Sequence, residues 1–245
     1  MVITASLVNI FSIIWLARNQ KRFKEKNIHW RSAISMIIAN VSLSGNKTSK
    51  VFNSSMRDFS ILKKFKINIH PPKAPTIKEV LWCPPKINWI KCNTDGAATS
   101  NTAAYGGIFR NHLADFKGGF AENIGKNSAY FAELLGAIRA IEIAYQNQWY
   151  NLWLETDSEL VVKAFNNHTL IPWPLRNRWL NCLLWTRNMN FLVSHIYREG
   201  NECADALANL GLDIVNYVFW NNVPQPVSDS FVRNKIGLPS YRFSL

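Results

Sequence analysis

The chain has 245 residues, 48% hydrophobic and 18% charged, with a net charge of +12. This length allows one good-sized core with extensions or two small domains, and the composition excludes an intrinsically disordered chain. Four cysteines without a C-x-x-C pair, Cys83, Cys92, Cys182 and Cys203, exclude a disulfide framework and a zinc cluster. The charge is uneven: residues 1–90 hold 15 Lys/Arg against 3 Asp/Glu, whereas residues 91–212 hold 10 against 11. A basic arm suits a polyanion such as nucleic acid, and an acid-rich domain suits divalent cations.

In chain order, residues 1–27 read as a helix ending in a basic stretch. Its apolar part, Val2 to Ala17, is shorter than a membrane span and is interrupted by Asn9. Ile3, Leu7, Ile10, Phe11 and Ile14 suit a helix packed on something, so no membrane is expected. Trp30 to Val41 reads as a second helix, Ser42 to Ser55 as a polar loop, and Met56 to Phe65 as a short helix. Residues 1–69 thus form a helical basic N-terminal segment. Prolines 71, 72, 75, 84 and 85 mark residues 70–85 as an extended linker, since proline removes backbone donors and disfavours helix before it.

Beyond the linker the pattern becomes β-rich. Ile87 to Thr94 alternates like a strand ending at Asp95-Gly96, and Tyr105 to Arg110 and Phe116 to Ile124 read as two more strands. Ser128 to Gln146 is a helix with Phe131, Leu134, Leu135, Ile138, Ile141 and Tyr145 on one stripe. Leu152 to Thr156 is a strand ending at Asp157, and a helix starts at Ser158. Leu175 to Asn188 is a helix, Phe191 to Tyr197 a strand, and Asn201 to Leu210 a helix capped by Asn201 and stopped at Gly211. The order predicts an α/β domain over 86–212, a mixed sheet flanked by helices, with residues 213–245 as a C-terminal tail.

Four acids fall at equivalent places. Asp95 and Asp157 end strands that, if parallel neighbours, put both carboxylates at one sheet edge. Glu133 lies early in the long helix, on the side of Gly136, Ala137 and Ala140, small residues that allow close approach to the sheet. Asp205 opens the last helix. Singly, each acid is an ordinary turn, cap or helix-start residue. Together, four converging carboxylates would repel one another unless they held cations, and oxygen-only donors favour Mg²⁺ or Mn²⁺.

The blocks Asn93-Thr94-Asp95-Gly96-Ala97, Ala132-Glu133-Leu134-Leu135-Gly136-Ala137, Glu155-Thr156-Asp157-Ser158 and Arg198 to Ala208 resemble the four signature blocks of the type-1 ribonuclease H family. The resemblance covers about half the chain. It implies a ribonuclease H-like fold with a five-stranded mixed sheet, and metal-dependent hydrolysis of the RNA strand of RNA–DNA hybrids. It carries the four catalytic, metal-binding acids over as Asp95, Glu133, Asp157 and Asp205, with two Mg²⁺ (or Mn²⁺) ions. His195, ten residues before Asp205, is a candidate for the family's mobile histidine, although its position in a strand argues for a fixed side chain. Arg198 is a rival for that role.

Gly106 to Arg110, His195 to Asn201 and Gly237 to Arg242 look like the plant retrotransposon-derived subgroup. Trp15 to Asn19 with Phe23 resembles the region following a non-LTR reverse transcriptase. Only 48 positions separate Asp157 from Asp205, which leaves little room for the basic substrate-binding protrusion of some relatives. Trp173, Arg176, Arg178 and Trp179 are candidates to replace it, and Asn93 and Asn127 to contact 2′-hydroxyls. The expected partner is an RNA–DNA hybrid or other nucleic acid, met by a monomer inside the cell, in nucleus or cytoplasm. A non-catalytic nucleic-acid-binding domain left from a retroelement is the competing reading.

Overall fold

The computed structural model describes residues 2–48, 51, 55–70 and 74–244, in two compact units divided at Pro75/Thr76. The first unit holds α1 (Val2–Lys24), α2 (Trp30–Asn46) and α3 (Met56–Lys64). Within it α1 packs on α2. Of the apolar α1 side chains only Ile13 is buried; Ile3, Leu7, Phe11, Ile14 and Trp15 are exposed, so the expected packing stripe is largely uncovered. The helix is also longer than the apolar stretch suggested. Its 23 residues make it long and apolar enough to cross a membrane by length and composition alone. Residues 42–46, expected as loop, continue α2. Their polar side chains find partners without unwinding the helix: Ser42 Oγ donates to the Lys66 carbonyl and Asn46 Oδ1 accepts from the Asn68 N–H.

The second unit comprises β1 (Thr76–Val80), β2 (Ile90–Ala98), β3 (Ala103–Arg110), β4 (Phe116–Asn123), α4 (Ala129–Gln146), β5 (Asn151–Thr156), α5 (Glu159–Ala164), α6 (Arg176–Thr186), β6 (Asn190–His195), α7 (Glu202–Gly211), β7 (Val218–Trp220), α8 (Ser228–Lys235) and β8 (Ser240–Ser244). The main sheet runs β6-β5-β2-β3-β4-β7. Pairs β2–β5 and β5–β6 are parallel, while β2–β3, β3–β4 and β4–β7 are antiparallel. The fold is thus the expected α/β mixed sheet flanked by helices. It has six strands rather than five, because Val218–Trp220 adds an edge strand alongside β4.

The compact unit is wider than residues 86–212. Part of the expected linker is β1, which pairs antiparallel with β8 from the expected tail, Thr76 opposite Ser244 and Val80 opposite Ser240. Pro71 and Pro72 lie outside the described residues. Val80 and Trp82 are buried, and so are Val227 and Phe231 of the expected tail. An extended proline-flanked stretch is compatible with a strand as well as a linker; its partner, more than 160 residues away, decides between them.

Glycines set how the layers meet. Gly96 is not a turn residue: β2 runs through Asp95-Gly96 to Ala98. A Cβ on Gly96 would stand 2.4 Å from the Glu133 nitrogen, so the strand and α4 touch backbone to backbone there. A Cβ on Gly106, the cross-strand partner of Asp95, would stand 2.5 Å from the Ala208 nitrogen of α7. Successive strand residues face opposite sides, so α4 covers one face and α7 the other. The α4 face carries the main apolar core, including Cys92, Tyr105, Ile138, Ile141, Leu154 and Trp179. The α7 face has a smaller apolar cluster of Ile108, Cys203, Leu207, Val227 and Phe231.

Candidate active site

Thr94 of β2 pairs with Thr156 of β5 in parallel register. One residue further on, Asp95 and Asp157 emerge side by side from neighbouring strands. The close contact at Gly96 brings Glu133 to the same edge from α4, and Gly106 lets α7 bring Asp205 there from the other face. Asp95 is buried, and the other three are half-buried.

The carboxylates sense one another. Asp95 is pushed up to about 8, first by burial and then by the Asp157 carboxylate, with Asp205 and Glu133 adding to it. The Gly96 N–H, donating to Asp95 Oδ1 at 2.7 Å, acts in the opposite sense. Burial also raises Glu133 and Asp157; Asp157 adds to the rise at Glu133 and Asp205 to that at Asp157. Each rise marks a negative charge that its surroundings do not compensate, which a cation would relieve.

Two neighbours already draw on this charge. Arg198 Nη2 donates to Asp205 Oδ1 at 3.1 Å, and Asn209 Nδ2 donates to Asp205 Oδ2 at 3.1 Å. Asp205 is therefore held by cationic and amide donors, and among the described residues no group of three or more His, Cys, Asp or Glu side chains is placed to hold a metal ion. Carboxylate oxygens without thiol donors are the kind of donor that suits a hard divalent ion.

His195 is the last residue of β6, and it is exposed. Its Nε2 lies 3.1 Å from the Asp157 carbonyl oxygen, and it borders a cavity of about 480 Å³ with Glu133, Asp157, Tyr197, Arg198 and Arg242. Both His195 and its rival Arg198 thus reach the carboxylate edge. The expected substitutes for a basic protrusion divide. Trp179 is buried against Phe165 and Arg178 is held by Glu142, whereas Trp173 and Arg176 are exposed. Asn93 is fully buried and cannot meet a 2′-hydroxyl. Asn127 is half-buried and donates to the Ile124 carbonyl.

Asn93 instead belongs to a buried polar chain behind the carboxylates. Its Oδ1 accepts from Trp82 Nε1 at 2.8 Å and from Arg110 Nη2 at 2.7 Å. These donors fix the amide so that Nδ2 points to Glu155 Oε2 at 2.9 Å and Asn201 Oδ1 at 3.3 Å. Asn201 in turn donates to the Thr94 carbonyl and to Asp157 Oδ1. Asn201 precedes α7 but makes no capping bond with its side chain, which is spent on this chain. Lys91, 1% exposed, pairs with Glu155 at 2.7 Å, and Trp82 lies against both Lys91 and Arg110. Lys91, Asn93 and Asp95 alternate onto one face of β2, a pattern visible in the sequence, but nothing there marked Lys91 and Arg110 as buried.

Residues 93–211 match the family model described as reverse transcriptase-like. The match covers just under half of the chain. The chain is also similar to an Arabidopsis thaliana protein named for ribonuclease H, with 30% identity over 168 residues, 66% of this chain. The match spans only 27% of that relative's length. Among solved structures, ribonuclease H1 of Halobacterium salinarum is 27% identical, with a TM-score of 0.46 over 51% of this chain and 97% of that one. LC11 ribonuclease H1 in complex with an RNA/DNA hybrid is 24% identical, with a TM-score of 0.45 over 51% and 96%.

Proposed function

We propose that the second unit is a divalent-metal-dependent endoribonuclease that hydrolyses the RNA strand of RNA–DNA hybrids. The observation that carries this reading is the convergence of Asp95, Glu133, Asp157 and Asp205, from two strands and two helices, at one sheet edge where Asp95, Glu133 and Asp157 are raised by burial and then by neighbouring carboxylates. Structural economy alone would not gather four acids at one edge when, among the described residues, only Asp205 has a cationic hydrogen-bond donor. The four would hold Mg²⁺ or Mn²⁺. When bound, such ions activate a water and stabilise the departing 3′ oxygen of a phosphodiester.

The chain's own residues prepare that chemistry. Asp95 is fixed by the Gly96 N–H, which donates to Oδ1. Asn201 orients Asp157, and Ser158 beside Glu133 works against the rise that burial imposes on it. Arg198 neutralises Asp205 until a ligand competes for it. His195, exposed at the lip of the cavity, would help product release in this reading. The first unit is a remnant of a retroelement's reverse-transcriptase-associated region in this reading.

The second reading, a nucleic-acid-binding domain without catalysis, is favoured by one observation: Asp205 is tied to Arg198 and Asn209 rather than free. Asp157→Asn separates the two. A nuclease loses cleavage, by at least about a hundredfold, while still binding hybrid; a binding module shows no metal-dependent cleavage in either protein.

A further inference from the structure

The two-stranded ribbon β1–β8 lies outside residues 93–211 and has no part in the chemistry above. Its sequence does something costly. Lys78 and Arg242 are direct cross-strand partners, so their side chains share one face. Like charges directly opposite on an antiparallel ladder destabilise it. Both cations are directed at a single ring. Lys78 Nζ stands 4.2 Å from the Tyr197 ring centre and donates to the Tyr197 hydroxyl at 2.8 Å; the Arg242 guanidinium stands 4.7 Å from the same ring.

Tyr197 follows β6 directly after the His195 edge, and Arg242 lines the cavity shared with Asp157, Glu133 and His195. The ribbon therefore carries its two positive charges to the rim of the carboxylate cleft. Arg242 is partly answered by Glu199, at 3.6 Å. The polar partner found for Lys78 is the neutral Tyr197 hydroxyl, so its charge is oriented but not neutralised.

We propose that the β1–β8 ribbon is a phosphate-contacting element, in which Lys78 and Arg242, braced on Tyr197, grip the backbone of a nucleic acid lying in the carboxylate cleft. The proposal rests on the nuclease reading and names a part of its substrate grip. It explains the like-charge pair: repulsion tolerated in the free protein is relieved when phosphates lie between or above the cations. It also adds cationic surface to that of the exposed Arg176 and Arg198 in the short connection between Asp157 and Asp205.

The test is binding of a fluorescent RNA–DNA hybrid to the full chain, measured by anisotropy in chelator from about 50 to 200 mM salt, so that cleavage plays no part. The variants are Lys78→Gln alone and Lys78→Gln with Arg242→Gln. The control is Lys117→Gln with Arg233→Gln, an equal charge change; Lys117 sits near the Arg110 end of the sheet, away from Asp95. Melting curves accompany each, and loss of the like-charge pair should leave the melting temperature unchanged or raise it.

The salt slope should fall by about 1 for the single variant and by about 2 for the double, with affinity at 100 mM salt falling severalfold to tenfold or more. The control should match wild type. If the double variant loosens the ribbon, the single variant decides, since Arg242 keeps its Glu199 partner there. An unchanged slope in the single variant, or one matched by the control, overturns the ribbon's role and leaves the nuclease reading standing. A wild-type chain that binds no hybrid at any salt overturns the nuclease reading and the ribbon with it.

Discussion

Replacing Asn93 by leucine tests the buried polar chain most severely. Leucine has asparagine's branch point and number of side-chain heavy atoms but bulkier methyl ends, so it fills the site and admits no replacement water, while deleting four hydrogen-bond connections. Trp82 Nε1 and Arg110 Nη2 lose their acceptor, and Glu155 Oε2 and Asn201 Oδ1 lose a donor. A buried neutral group left unpaired costs about 1–3 kcal/mol, and a charged one more. Arg110 keeps Asn234 at 2.7 Å and its stacking on Trp82, and Glu155 keeps Lys91, so the sum is moderated. The expected loss for Asn93→Leu is about 3–5 kcal/mol. Trp82→Phe deletes one N–H and leaves Arg110 on the same Asn93 oxygen, so it should cost only about 1 kcal/mol. Urea unfolding of the full chain, followed by near-UV circular dichroism, measures both. A loss below about 1 kcal/mol for Asn93→Leu, or equal losses for the two variants, would refute the reasoning.

Other outcomes follow from the same geometry. Gly96→Ala must part β2 from α4, because its Cβ would lie 2.4 Å from the Glu133 nitrogen; an unfolding loss of about 2–3 kcal/mol is expected, and a neutral effect would show that the contact is slack. In chelator, folded Asp95 keeps its proton up to about 8, whereas the unfolded group ionises near about 4. A folded value above the unfolded one means that its stabilising contribution is complete below about pH 4 and is lost as pH rises through about 8. Asp95→Asn, which cannot ionise, should therefore gain melting temperature on wild type across that window; parallel melting profiles count against the burial of Asp95. Millimolar Mg²⁺ should raise the wild-type melting temperature and do much less for Asp157→Asn, because binding to the folded chain alone shifts unfolding by mass action. Equal shifts in both proteins would place the cation elsewhere.

What could be read before the structure, and what could not, follows the range of the interactions. Each of Asp95, Glu133, Asp157 and Asp205 sits in a local motif, beside a strand's Asp-Gly, just past a strand or near a helix start, so order and spacing nominated them even though β2 runs on past Asp95. The helix over Ser128 to Gln146 matches α4 because its apolar stripe repeats within a few residues. The ribbon β1–β8 was hidden because Thr76 and Ser244 are 168 positions apart, and a strand in which Ile77 and Lys78, on opposite faces, are both exposed has no alternation to announce it. Lys91 and Arg110 resemble solvent-facing residues in any one-dimensional pattern; only the meeting of Glu155, Asn234 and Trp82 around them makes burial tolerable. Asp95-Gly96 carries a further lesson. Its glycine looked like a turn, but it is the strand position at which a helix backbone makes contact, and this contact brings Glu133 to Asp95.

The central claim, that these four carboxylates form a metal-dependent ribonuclease site, is tested most directly by cleavage of an RNA–DNA hybrid labelled separately on each strand. The full chain would be incubated with Mg²⁺, with Mn²⁺ and with chelator, beside Asp157→Asn prepared in the same way. The account predicts metal-dependent cutting of the RNA strand only, absent from the variant. No cutting by a folded wild-type chain that binds the hybrid, or equal cutting by Asp157→Asn, would contradict it.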